Sequence, residues 1–270
     1  MAAETFNERY FQLTPSASST DVTAGKDNVF QMCFTDPDQG VTAANYVAEN
    51  GLATKVAVIY NNGDAYSTGI YQTFEAKAAE LGLEVVATEA FATGDKDYKA
   101  QMTNIASKNP DVVFCPIYYG EAGLAITQGR QAGITATFLG GDGFGGIRDY
   151  ASPEDLEGTV YCSGYAPGTE SVAQFEADYQ ATYGEPVPNM FAPLAYDAAM
   201  LMCNALKSAE DAGLTAGTDE YKQAVIDALA ANDGTEGITG SYTFDPYNNP
   251  IKSAAMIQLQ GGEEKFTELY

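Results

Sequence analysis

Three side chains that could bind a small charged ligand follow three short apolar segments of the sequence. Tyr66, Tyr118 and Asp142 each stand just beyond a segment rich in β-branched or aromatic residues. If those segments are neighbouring parallel strands, their carboxyl ends meet at one edge of the sheet, where open α/β sheets bind ligands. One carboxylate among aromatic rings suits an ammonium group. We therefore expect Asp142 to pair with an ammonium group and the two tyrosines to line the sides of the ligand-binding site.

A second candidate site is the hydroxyl-rich segment 14–21, which follows the predicted strand 10–14. Ser16 and Ser18 lie within it. Hydroxyls and backbone N–H groups at the end of a strand form an anion-sized site that suits a carboxylate. The alternative is a polar loop that only caps a helix. Together with Asp142, the segment would hold a ligand that carries both an ammonium and a carboxylate.

Composition excludes several classes of function. Thirty-seven acidic residues against 13 basic ones give a net charge of −24, which repels nucleic acid and anionic lipid, so no nucleic-acid partner is expected. The chain has no histidine, and no second carboxylate is placed beside Asp142. A general base or nucleophile pair is therefore lacking, which favours binding without turnover over an enzyme of flavodoxin-like shape.

A glycine motif at 141–146 literally matches G-x-G-x-x-G. A dinucleotide site needs a long helix to open at that motif, and Pro153 leaves room for barely two turns. We expect neither a cofactor nor a metal. Acidic segments such as 36–40 lack the spacing of a calcium loop and are interpreted as a helix N-cap.

From Lys55 onward, apolar segments and helical periodicities alternate. The predicted strands cover 55–60, 83–90, 111–117, 136–141 and 157–165, and the predicted helices cover 67–82, 97–110 and 121–133. Short, nearly continuous apolar strands separated by helices predict a parallel sheet covered on both faces. With right-handed crossovers, this part is an α/β, doubly wound lobe.

The rest of the chain predicts too few strands for a lobe of that kind. It offers helices over 171–184, 189–213 and 219–233, the strand 10–14, and a hairpin over 240–260. We therefore expect one complete lobe and one that lacks its N-terminal strands. The complete lobe is 35–163 with about 255–270, the incomplete lobe is 1–34 with 164–254, and hinge segments lie near 31–35 and 161–164.

An incomplete lobe has two further consequences. Apolar helix residues such as Leu194, Leu201 and Met202 would be exposed, which predicts self-association. Cys33 and Cys162 fall in the two predicted hinge segments. They are either a hinge disulfide or two free thiols.

Several segments in order resemble the periplasmic solute-binding proteins of the leucine/isoleucine/valine-binding type, which serve ABC importers. The segments are LTPSASSTDVTAGKDN, KVAVIYNNGDAYSTG, NPDVVFCPIYYGEAG, FLGGDGFGG and FAPLAYDAAMLM. The resemblance implies a periplasmic-binding-protein-like fold of two α/β lobes that close on an amino acid, an ABC permease partner and an extracytoplasmic location. By motif, the implied ligand-binding residues are Ser16, Ala17, Ser18, Tyr66, Tyr118, Asp142 and, lining the pocket, Phe191.

The sequence departs from that family at its start. The family begins with a β-α-β-α-β run behind a signal peptide, and residues 1–13 match neither. We therefore expect the chain to lack the family's N-terminal segment and to bind its ligand weakly unless that segment is restored. A ligand-sensing receptor or regulator domain on the same scaffold is the alternative function.

Overall fold

The computed structural model describes all residues from 1 to 270. The chain divides into two compact units: Met1–Thr35 with Glu170–Ser253 (unit 1), and Asp36–Thr169 with Ala254–Tyr270 (unit 2). The second boundary lies after Thr169, beyond the predicted hinge at 161–164. The reason is that Val160–Ser163 is an interior strand of the unit 2 sheet.

Nine α-helices and twelve strands make up the chain, together with short 3-10 turns. The helices are α1 (Ala2–Asn7), α2 (Asp36–Glu49), α3 (Ala65–Leu81), α4 (Lys99–Ser107), α5 (Tyr119–Gln131), α6 (Pro153–Leu156), α7 (Ala173–Tyr183), α8 (Phe191–Asp211) and α9 (Asp219–Ala230). The strands are β1 (Gln12–Thr14), β2 (Val29–Gln31), β3 (Lys55–Asn61), β4 (Glu84–Phe91), β5 (Val112–Cys115), β6 (Thr137–Gly140), β7 (Val160–Ser163), β8 (Asp233–Gly237), β9 (Gly240–Phe244), β10 (Pro250–Ile251), β11 (Ala255–Gln260) and β12 (Glu263–Leu269).

Unit 2 is built on a seven-stranded sheet in the order β12-β11-β7-β6-β5-β3-β4. The pairs from β7 to β4 are all parallel. The residues of β5 and β7 are all buried, as a sheet covered on both faces requires. The predicted doubly wound parallel fold is confirmed.

Helix α3 shows how local sequence fixes the elements of unit 2. The Asp64 side chain accepts a hydrogen bond from the Ser67 N–H and caps the helix start, and Gly82 ends the helix at φ 75°. On the buried face of the helix, Phe74 stacks on Phe114 of β5 with ring centroids 4.2 Å apart. These contacts fix the helix against the sheet and set where its first turn lies.

The predicted hairpin over 240–260 is wrong in its second half. Strand β9 pairs with the two-residue β10, and the chain then enters unit 2. There β11 pairs antiparallel with both β7 and β12. Strand β12 was not predicted because it alternates exposed and partly buried residues at a sheet edge, without an apolar run.

Unit 1 contains the parallel pair β1-β2, the antiparallel sheet β10-β9-β8, and four helices, α1 and α7 to α9. Phe30 of β2 meets Phe244 of β9 edge to face at 5.2 Å. The expected exposure of the α8 face is wrong, because Leu194 and Leu201 are only 1% and 5% exposed and Met202 is partly buried. The premise for self-association through those residues is therefore removed.

Cys33 and Cys162 are both buried and neither forms a disulfide, so the hinge disulfide is absent. None of the helices combines the length and the apolar character that crossing a bilayer would require.

Candidate functional site

The strands β3, β5 and β6 are neighbours in the unit 2 sheet. Tyr66, Tyr118 and Asp142 follow their carboxyl ends, and the structure brings these three side chains together. The rings of Tyr66 and Tyr118 stack 4.6 Å apart at an interplanar angle of 18°. The Tyr66 hydroxyl donates a hydrogen bond to Asp142 Oδ1 at 2.8 Å. We call these three residues the Asp142 cluster.

Asp142 opens a 3-10 turn, Asp142–Phe144, directly after β6. Its own N–H donates to Gln39 Oε1 of α2 at 2.9 Å, and the next N–H, of Gly143, donates to Tyr66 Oη at 2.9 Å. Asp142 is only 3% exposed. A buried carboxylate is costly unless hydrogen bonds or a cation compensate it. The turn therefore holds an anion in a fixed place where a cationic group is favoured.

Two glycines of the 141–146 motif, Gly141 and Gly143, are explained by packing. A Cβ on Gly141 would lie 2.7 Å from Gln39 Oε1 and 2.9 Å from Tyr66 Oη. A Cβ on Gly143 would lie 2.8 Å from Tyr66 Oη and 2.9 Å from the Ile117 carbonyl oxygen. Only residues without a side chain let the turn approach α2 and α3 this closely. No long helix follows, since the next element is another short 3-10 turn, Ile147–Asp149.

The electrostatic surroundings of the Asp142 cluster are negative. Burial raises the pKa of Tyr66 well above the usual 10.0, and the charge of Asp142 raises it further, so the phenol stays a hydrogen-bond donor. Burial also raises the pKa of Tyr118, and the nearby carboxylates of Asp64, Asp142, Asp36 and Glu121 add to the increase. Tyr118 is nonetheless 45% exposed. A ligand that reaches Tyr118 therefore meets an aromatic ring in a field that attracts cations.

The other predicted ligand-binding residues belong to unit 1. In the Ser16–Ser18 loop, the N–H groups of Ser16 and Ala17 lie 3.5 and 3.3 Å from Thr14 Oγ1, so the hydroxyl of Thr14 shapes this loop. Phe191 is the first residue of α8, and its N–H donates to Asn189 Oδ1 at 3.0 Å. The role of these residues in ligand binding stays a prediction.

Gln39 was missed by the sequence reasoning. It lies on α2, far along the chain from Asp142, and its Oε1 also lies 3.7 Å from the thiol sulfur of Cys162. Helical periodicity marks such a residue only as facing inward. Nothing local in the sequence indicates that it contacts the Asp142 turn.

Comparison with known proteins identifies relatives over nearly the whole chain. The model of the periplasmic binding protein family matches residues 2–264. Leu/Ile/Val-binding protein homolog 3 of Brucella melitensis is 31% identical over 235 residues, which cover 86% of this chain and 61% of that protein. Leu/Ile/Val-binding protein BraC3 of Rhizobium johnstonii is 32% identical over 226 residues, which cover 83% of this chain and 59% of that protein. The chain thus spans about 60% of the length of these relatives.

Solved structures give the same answer. The branched-chain amino acid transporter substrate binding protein LivJ from Streptococcus pneumoniae, in complex with isoleucine, is 32% identical with a TM-score of 0.88. The match covers 100% of this chain and 75% of that one. The leucine binding protein LivK from Thermotoga maritima is 27% identical with a TM-score of 0.87, over 99% of this chain and 75% of that one. The chain belongs to the periplasmic binding protein family.

Proposed function

We propose that this protein binds a small amino acid, of branched-chain or similar type, and delivers it to an ABC importer outside the cytoplasm. The observation that carries the proposal is the Asp142 cluster, a buried carboxylate braced by one tyrosine and adjoining a second, half-exposed one. The names of relatives that bind leucine, isoleucine and valine support the ligand class. Membership of the family supports the ABC permease partner and the extracytoplasmic location that we include in the proposal.

In this proposal the ligand's ammonium pairs with the Asp142 carboxylate. The Tyr66 hydroxyl already occupies Oδ1 and fixes the orientation of the carboxylate. The exposed face of Tyr118 adds a cation–π contact. By resemblance, Ser16, Ala17 and Ser18 receive the ligand's α-carboxylate, and Phe191 contacts its apolar side chain.

Isothermal titration calorimetry of the full chain with leucine, isoleucine and valine tests the proposal. A charge-assisted hydrogen bond contributes about 1.5–3 kcal/mol. Asp142→Asn is therefore expected to weaken leucine binding by roughly 10- to 100-fold. The matched control is Asp149→Asn, which removes an exposed carboxylate from the neighbouring 3-10 turn and leaves affinity unchanged.

Two results would count against the function. One is the absence of any binding heat with these amino acids at millimolar concentration. The other is an Asp142→Asn variant that binds leucine as tightly as the unmodified chain does.

A further inference from the structure

Gln39 is almost completely buried, at 2% exposed, and its carboxamide contacts the turn that carries Asp142. We propose that Gln39 is a positioning residue, which fixes the Asp142 turn and thereby sets how strongly the protein recognises a ligand's ammonium. The proposal rests on the proposed amino-acid-binding function. Under this proposal α2 contributes to ligand selectivity through Gln39, which acts on the Asp142 turn and does not itself contact the ligand.

Helices α2 and α3 pack closely beside Gln39. A Cβ on Gly40 would lie 2.1 Å from Thr73 Oγ1 and 2.5 Å from the Ile70 carbonyl oxygen. A Cβ on Gly69 of α3 would lie 3.4 Å from the Cβ of Asp36. The two helices therefore meet with one glycine from each at their contact. Gln39 is next to Gly40 at this contact, and its side chain is buried.

The orientation of the carboxamide is fixed by its partner. The Asp142 N–H is a donor, so the atom that faces it at 2.9 Å must be the carbonyl oxygen Oε1 and not the amide nitrogen. The amide nitrogen Nε2 is buried and makes no hydrogen bond to a protein atom. Burying a polar amide in this way is unfavourable, and an apolar residue of similar size would avoid the cost. The Asp142 N–H and the Cys162 thiol both donate to Oε1, and these bonds account for a glutamine here.

Gln39 and Tyr66 hold the same turn in different ways. Gln39 from α2 accepts the N–H of Asp142, and Tyr66 from α3 accepts the N–H of Gly143. Tyr66 also bonds the carboxylate itself, whereas Gln39 contacts only the main chain of the turn. Loss of Gln39 therefore leaves the charge of Asp142 intact and removes one of the bonds that fix its position. Because ion pairs and hydrogen bonds depend steeply on geometry, ammonium recognition is then weakened selectively.

The test compares leucine with 4-methylpentanoate, which is leucine without its amino group. The dissociation constant of 4-methylpentanoate divided by that of leucine measures how much affinity the protein gains from the ammonium group. In Gln39→Leu we expect this ratio to fall at least fivefold, in the same direction as in Asp142→Asn. A general loss of structure would weaken both ligands equally and leave the ratio unchanged.

Gln128→Leu is the matched control. Gln128 on α5 of the same unit also accepts a main-chain N–H through Oε1, that of Tyr98 at 2.6 Å. It lies outside the Asp142 cluster, so its loss should leave the ratio unchanged. Amide hydrogen exchange supplies a readout that needs no ligand: exchange at Asp142 should accelerate at least tenfold in Gln39→Leu and not in Gln128→Leu.

The outcomes separate the two proposals. If the unmodified chain prefers leucine to 4-methylpentanoate and Gln39→Leu keeps that preference, the positioning role is wrong and the amino-acid-binding function stands. Unchanged exchange at Asp142 in Gln39→Leu also overturns the positioning role. If the unmodified chain binds no amino acid, both proposals fail.

Discussion

Removing the hydroxyl of Tyr66 should destabilise unit 2 without disturbing its aromatic packing. In Tyr66→Phe the ring remains to stack on Tyr118, but Asp142 Oδ1 loses its donor and the Gly143 N–H loses its acceptor. Both groups are buried. A hydrogen bond to a charged group contributes about 1.5–3 kcal/mol and a neutral one about 1 kcal/mol. The expected cost is therefore about 2–4 kcal/mol in the free energy of unfolding of unit 2.

Tyr71→Phe is a closely matched control within the same helix. Tyr71 stacks on Tyr60 with ring centroids 4.2 Å apart, and its hydroxyl donates to the Glu75 carboxylate at 2.7 Å. Tyr71 therefore makes the same two kinds of contact as Tyr66. That bond is exposed to solvent, which replaces it when the hydroxyl is lost. We expect a cost below about 1 kcal/mol.

The assay must report unit 2 separately, because a chain of two units need not unfold in one step. Amide hydrogen exchange at the core strands β3 and β5 gives the opening free energy of that unit. If Tyr66→Phe and Tyr71→Phe change this free energy by the same amount, the hydroxyl does not brace Asp142 as described.

Two further predictions concern packing and pH. Gly143→Ala should lower the melting temperature by several degrees, because its Cβ would lie 2.8 Å from Tyr66 Oη and overpacking typically costs about 1–3 kcal/mol. The control Gly120→Ala, whose Cβ meets only ordinary contacts, should leave the melting temperature unchanged. Equal melting curves for the two variants would contradict the packing account. Burial lowers the pKa of Lys252 from 10.5 to about 8, so the unfolded chain binds more protons between those values and stability rises with pH across that window. Relative to Lys252→Met, the free energy of unfolding of the wild type should increase by up to about 3 kcal/mol across this window. If the urea midpoints of the wild type and Lys252→Met differ by the same amount at pH 7.5 and at pH 10, this prediction is wrong.

Much of unit 2 was predictable from the sequence. The alternation of apolar strands and amphipathic helices predicts parallel pairing, because short helical crossovers return the chain in the same direction. Parallel neighbours end at one edge, so Tyr66, Tyr118 and Asp142 were expected together, and the structure places them in contact. Their role in binding an amino acid remains a prediction.

The contacts that complete the site were decided by tertiary structure alone. Gln39 of α2 bonds to Asp142, 103 residues away in sequence, and β11 joins the unit 2 sheet by pairing with β7 and β12. Periodicity along the chain indicates which face of a helix or strand is buried. It does not indicate which distant backbone group that face contacts, because this pairing depends on how whole helices and strands pack in three dimensions.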